Sequence, residues 1–208
     1  MDQWCGSTAH GTSAKRHHGA VTNVIMTNVM SDTWVALLRG INLGGKNKLP
    51  MKDLTAMFAD AGCGNVRNYI QSGNVVFETA PVRLCEVIEK QIEKQFGFRA
   101  PVILRNTKQL RAVVAENPFL KAGVALETLH VMFLADKPSA ARVSTLDPRR
   151  SPPDEFIVQG QEIYLRLPNG AGNSKLTNAY FDSKLATIST SRNWRTVNTL
   201  LEMMEKLP

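Results

Sequence analysis

The order of elements constrains this chain most. Between residues 33 and 106, short apolar runs alternate with two amphipathic stretches. Val35 to Leu38 is apolar and too short for a helix. After a polar loop, Pro50 marks a helix start, because its missing N–H needs no partner there. Met51, Leu54, Phe58 and Ala61 then recur at helical spacing, and Gly62-Cys63-Gly64 ends the run. Val66 to Ile70 and Val75 to Phe77 read as strands joined by the turn Gln71-Ser72-Gly73-Asn74. Residues 83–96 carry Leu84, Val87, Ile88, Ile92 and Phe96 on one helical face, and Gly97 stops them. Ala100 to Leu104 is a fourth strand. The order βαββαβ is that of an α+β ferredoxin-like unit, the split βαβ pattern.

The same order returns downstream. Residues 107–116 form a connecting helix, followed by a strand at Leu129 to Ala135 and a short helix at Pro138 to Leu146. Beyond the proline-rich loop 147–153, a hairpin joins Phe156–Val158 to Ile163–Leu167. A helix is expected from Ser174 to Leu185, a short strand from Ala186 to Ser189, and a last helix from Trp194 to Lys206. No residue-level repeat accompanies the doubled order. The expected division is therefore a disordered extension (1–32), a first ferredoxin-like subdomain (33–106), a connecting helix and loop (107–127), and a second subdomain with a C-terminal helix (128–208). Each sheet is covered by helices on one face, leaving the other face to pack on its twin or to line a cleft.

Residues 1–29 are rich in Gly, Ser, Thr, Asn and His and lack the apolar segment of a secretory signal. Met26 and Met30 are alternative starts. No apolar run approaches the roughly 20 residues of a membrane span, so no membrane partner is expected. Three cysteines, Cys5, Cys63 and Cys85, form no C-x-x-C pair and fit a reducing cytoplasm. The formal charge is +7. Lys15, Arg16 and Asp2 give residues 1–29 only +1 of this, so the folded part is itself basic. That bias favours an anionic small molecule or nucleic acid, although a basic surface also serves solubility.

Three polar loops stand out. Arg39-Gly40-Ile41-Asn42-Leu43-Gly44-Gly45-Lys46-Asn47 follows the first strand and nearly matches a phosphate-binding P-loop. Asn47 stands where the magnesium-binding hydroxyl belongs, and Pro50 falls inside the helix the motif requires. A cradle of backbone N–H groups with Lys46 is the better reading, with a plain glycine turn as its rival. The stretch 170–178 is the second loop, with Ser174 expected to cap a helix and Lys175 to add charge. In the third, Arg192 and Arg195 flank Asn193-Trp194 at the start of the last helix. Arginine suits phosphate or carboxylate, while Trp194 reads as mainly structural. Gln71, Ser72 and Asn74 add a polar hairpin tip. His130 lies in an apolar strand and reads as a core group. No spacing of Cys, His or carboxylates marks a metal site, a nucleophile pair or a cofactor site.

The stretches 35–47 (V-A-L-L-R-G-I-N-L-G-G-K-N) and 68–77 (N-Y-I-Q-S-G-N-V-V-F), with N-P-F (117–119), S-K-L-T-N (174–178) and R-N-W-R-T-V (192–197), resemble a widespread bacterial family of uncharacterised proteins, a domain of unknown function. The resemblance spans about residues 33–205 and implies two ferredoxin-like subdomains without supplying an activity. Ser191 stands where members usually carry Thr, and the extension before residue 30 is atypical.

Two functions are expected from these readings. One is binding of an anionic ligand, a nucleotide or single-stranded nucleic acid. Arg39, Lys46, Lys175, Arg192 and Arg195 would neutralise phosphate, and Asn42, Gln71, Asn74 and Asn193 would orient the ligand. The other is a transferase or hydrolase acting on a small phosphorylated or carboxylated substrate by electrostatic stabilisation. A protein–protein adaptor, which needs an exposed apolar patch, is a third.

Overall fold

The computed structural model describes residues 32–120 and 123–207; the disorder expected of the N-terminal extension falls outside them. Alternating apolar residues build the first sheet from β1 (Thr33–Leu38), β2 (Gly64–Tyr69), β3 (Asn74–Glu78) and β4 (Val102–Asn106), in the order β2-β3-β1-β4. Helices α1 (Met51–Asp60) and α2 (Leu84–Phe96) intervene in the chain. After α3 (Thr107–Ala115), the second sheet comprises β5 (Leu129–Leu134), β6 (Glu155–Gln159), β7 (Glu162–Arg166) and β8 (Ser189–Asn193), in the matching order β6-β7-β5-β8. Its helices are α4 (Ala140–Val143) and α5 (Asn178–Leu185), and α6 (Trp194–Glu205) follows. The fold is α+β, with two ferredoxin-like subdomains.

Strand alternation sends successive side chains to opposite faces. Ala36, Leu38, Val75 and Phe77 point to the α1/α2 side, where they bury Leu54, Phe58, Leu84, Ile88 and Ile92. Val35, Leu37, Val76 and Ile103 point the other way and share a core with Val131, Phe133 and Tyr164 of the second sheet. That shared core is completed by Leu110 and Val113 of α3 and by Trp194, Val197, Leu200 and Met204 of α6. Met132, Leu134, Ile163 and Leu165 face Phe181 and Leu185 of α5. The unused sheet faces therefore pack together around α3 and α6.

Several boundaries differ from the expectation. Helix α5 begins at Asn178, capped by Thr177, whose side chain accepts from Tyr180 N–H; Ser174 instead accepts from Leu176 N–H within the loop. Ala186 ends α5 in the left-handed region at φ 51°. The following strand is Ser189–Asn193, later than expected, and its sequence S-T-S-R-N has no apolar alternation to reveal it. Pro101 has no N–H to give a ladder, and β4 begins after it. Asn74, read as part of the turn, is the fully buried first residue of β3.

A residue-level repeat does exist, and it lies where the halves interlock. Arg105 is next to last in β4 and opposite Val35; Arg192 is next to last in β8 and opposite Val131. Asn106 and Asn193 follow them and cap α3 and α6, accepting from Gln109 and Thr196 N–H. Each guanidinium crosses to the other half. Arg105 Nη2 donates to Leu134 O (2.8 Å) and Gln161 O (3.2 Å). Arg192 Nη2 donates to Leu38 O (2.8 Å) and Gly73 O (3.3 Å). Leu134 and Leu38 end equivalent strands, and their own N–H groups donate to the same Gln161 and Gly73 carbonyls, both at 2.8 Å.

Candidate functional site

The loop after β1 is a miniature hairpin. Lys46 N–H donates to Leu43 O and Asn42 N–H to Asn47 O, around a two-residue turn with Gly44 at φ 53° and Gly45 at φ 78°. Positive φ at both central residues is the type I′ geometry glycine permits. Asn42 and Asn47 also adopt left-handed backbone, which short polar side chains tolerate. Their amides build the loop: Asn47 Nδ2 donates to Gly40 O, and Asn42 Nδ2 to Leu49 O and Gln71 O. The bond to Gln71 O staples this loop to the β2–β3 turn. Ile70, at φ 49° and half exposed, carries backbone strain in that turn that is unusual for a β-branched residue.

Arg192 enters the same end from β8. Nε donates to Asn74 Oδ1 (2.5 Å), Nη1 to Thr190 Oγ1 and Ser191 O, and Nη2 also to Ser72 O. It is a buried tie between the halves, where the sequence reading puts it at the start of the last helix as a group for phosphate. Burial pulls its pKa down to about 10, so it is still a cation at neutral pH. Its counterpart Arg105 is also buried, but it pairs with the Glu162 carboxylate at 2.9 Å, where Arg192 has only the Asn74 amide. The halves differ in elaboration too. Twelve residues link β1 to α1 and four link β2 to β3, where the second half uses five between β5 and α4 and only Gly160-Gln161 between β6 and β7.

Arg39 closes the corner. Its Nη1 pairs with Asp182 of α5. Asp182 Oδ1 accepts from Ser189 Oγ (2.6 Å), which in turn accepts from Asn178 Nδ2 (3.0 Å). Asp182 and Ser189 have no part in the sequence reading of the site, and Asn178 enters it only as the end of the second loop, although Asn178 and Asp182 are spaced i, i+4 on one helix face.

The expected site residues thus divide. Arg39, Asn42, Gly44, Gly45, Lys46, Asn47, Gln71, Ser72, Asn74 and Arg192 share one end of the sheet pair, with the Gly44-Gly45 tip, Lys46 and Gln71 exposed. Ser174 and Lys175 belong to a separate loop, where Lys175 N–H donates to Ser151 Oγ. Asn193 and Arg195 lie elsewhere again, along a groove of about 620 Å³ that also borders Leu126, His130 and Glu202. Trp194 is core. Cys63 is buried and Cys85 half-buried, and burial raises both thiols to about 11. Among the described residues, no group of His, Cys, Asp and Glu could hold a metal ion, and no helix is long and apolar enough to cross a membrane.

No curated protein matches the chain. Among solved structures, the conserved bacterial protein SP0830 from Streptococcus pneumoniae is similar in fold, with a TM-score of 0.64 and 22% identity over 84% of this chain and 99% of that one. The family described as "Protein of unknown function (DUF1697)" matches residues 31–164, more than half of the sequence, and the chain belongs to that family.

Proposed function

We propose that this is a cytoplasmic protein that binds an anionic ligand, a nucleotide or single-stranded nucleic acid, where loop 39–49 meets the β2–β3 turn. One observation carries the reading. Arg192 holds positive charge at this end against a neutral amide, while the equivalent Arg105 is balanced by Glu162. Arg192 is fully engaged and acts through its field rather than by contact. The groups left to touch an oxyanion are part-exposed Arg39, the exposed Lys46, the Gly44-Gly45 tip and Gln71. Binding is preferred to catalysis on a small phosphorylated or carboxylated substrate because Asp182, the carboxylate in this network, is already held by Arg39 and Ser189.

Fluorescence anisotropy with a labelled oligothymidylate, competed by a nucleoside triphosphate, tests the reading. Binding is expected to weaken steeply with salt for the polymer, and Arg39→Ala and Lys46→Ala should each weaken it. A salt-independent signal rejects the nucleic-acid version. Unchanged affinity in both variants, for both probes, assigns the charges to solubility.

A further inference from the structure

We propose that Asp182 is a positioning residue for Arg39, turning its guanidinium so that the Nε–Nη2 edge presents a fork to two oxygens of a phosphoryl group. The proposal rests on the binding reading above and deepens it.

Three observations support it. First, Arg39 is held at one corner only. Its Nη1 pairs with Asp182, and among the described residues Nε and Nη2 have no partner. Arg105 and Arg192 have both of those groups engaged. The Arg39 side chain is 30% exposed, so part of it is open to solvent. Guanidinium geometry matches two phosphate oxygens through two parallel N–H bonds.

Second, the holding carboxylate cannot swing freely. Asp182 Oδ1 is fixed by Ser189 Oγ at 2.6 Å, and Ser189 is wholly buried and itself fixed by Asn178 Nδ2. A side chain from α5 is thus locked before it meets Arg39. Such a chain orients a first-contact group at low entropic cost when ligand arrives.

Third, the fold itself does not need this arginine. The repeat places Ala135 at the position of Arg39. Both make the same backbone bond, Ala135 N–H to Ile188 O (2.8 Å) and Arg39 N–H to Pro101 O (3.0 Å). The second half closes its corner without a guanidinium.

The test is isothermal titration of the full chain with two probes: adenosine monophosphate, which carries a terminal phosphate, and an oligothymidylate without one. Variants are Arg39→Ala, Arg39→Lys, Asp182→Asn, Ser189→Ala and the double variant Arg39→Ala/Asp182→Asn. Asp182→Asn is expected to lose about tenfold in affinity, the loss of one charge-assisted hydrogen bond, with thermal unfolding unchanged. Arg39→Lys keeps the charge but lacks the fork, and should not restore binding. In the Arg39→Ala background, Asp182→Asn should cost nothing more. Ser189→Ala keeps both charges, unpins the carboxylate and should show a smaller loss, which covers the case where Asp182→Asn folds poorly. Binding of only one probe supports the proposal and names the phosphate's source. Wild-type or tighter affinity in Asp182→Asn, with Arg39→Ala weakened, overturns the positioning role and leaves the binding reading standing. Additive losses in the double variant overturn it as well. No binding of either probe by the wild type defeats the underlying reading instead.

Discussion

Arg105 and Arg192 occupy the same place in the two halves of the chain, and only Arg105 meets a carboxylate. Both are buried and both bind carbonyls that end equivalent strands. Glu162 therefore supplies something the other half manages without. Removing one partner of a buried pair leaves an unbalanced charge and is costly, about 3–5 kcal/mol. Glu162→Ala should lose stability on that scale. Glu162→Gln keeps an oxygen for Arg105 Nε, recreating the Asn74 arrangement, and should cost only about 1–2 kcal/mol. Urea unfolding of the two variants measures the difference, and equal losses would mean that the carbonyls do not hold the guanidinium as argued.

The reverse experiment is made at Arg192. Asn74→Asp gives Arg192 a carboxylate without changing side-chain size. The new charge pair offsets the lost amide bonds to Tyr69 O and Ser72 Oγ, so stability should move by no more than about 1 kcal/mol. Anion affinity should fall about tenfold, because the positive field is cancelled at its source. Glu162→Gln, which leaves Asn74 and Arg192 as they are, serves as the comparison and should not lower affinity.

The architecture was legible because it is written in apolar periodicity. Leu54 and Phe58, Ile88 and Ile92, and Val75 and Phe77 are core residues at the spacings that announce them. β8 was misplaced because Ser189, Thr190 and Arg192 are buried polar residues. Thr190 and Arg192 are satisfied by partners in the other half, and Ser189 by Asp182 and Asn178 of α5, and no local pattern reports such bonds. For the same reason Arg192 and Arg195 read as one pair at the start of the last helix, although one lies in a strand and the other on α6. The repeat had one visible trace, the dipeptide Arg-Asn at 105–106 and 192–193, each just before a helix. Its other equivalences, the like pairs Val35 with Val131 and Leu38 with Leu134 and the unlike pairs Glu162 with Asn74 and Gln161 with Gly73, need the backbone to be seen.

Gly73 should be the least replaceable glycine of the polar loops. Its φ is +75°, and an added Cβ would fall 2.7 Å from Leu38 Cβ and 2.9 Å from Ile41 Cδ1. Both are buried side chains that cannot retreat. Gly44 has φ +53° but open space around it. Gly44→Ala therefore carries only the conformational penalty, about 1 kcal/mol. Gly73→Ala adds an overpacking cost of about 1–3 kcal/mol. Denaturant midpoints should rank the two variants in that order.

His130 predicts the pH response. It lies on β5 opposite Asn193 and Leu165, half-buried, with Nδ1 3.4 Å from Thr128 O, beside a groove that carries Glu127, Arg195 and Glu202. Burial lowers its pKa below the ordinary 6.5, outweighing the opposing bond to Thr128 O. Below 6.5 the unfolded chain therefore takes up this proton before the folded one does, and the unfolded state gains. Stability attributable to His130 is complete above 6.5 and declines as pH falls from there toward the lowered folded value. His130→Gln keeps a polar group in the strand but cannot titrate. Thermal unfolding between about pH 5 and 7, above the range where most carboxylates titrate, should show a downward slope on the acid side in the wild type and a flatter one in the variant. Parallel curves would place the imidazole in water in both states.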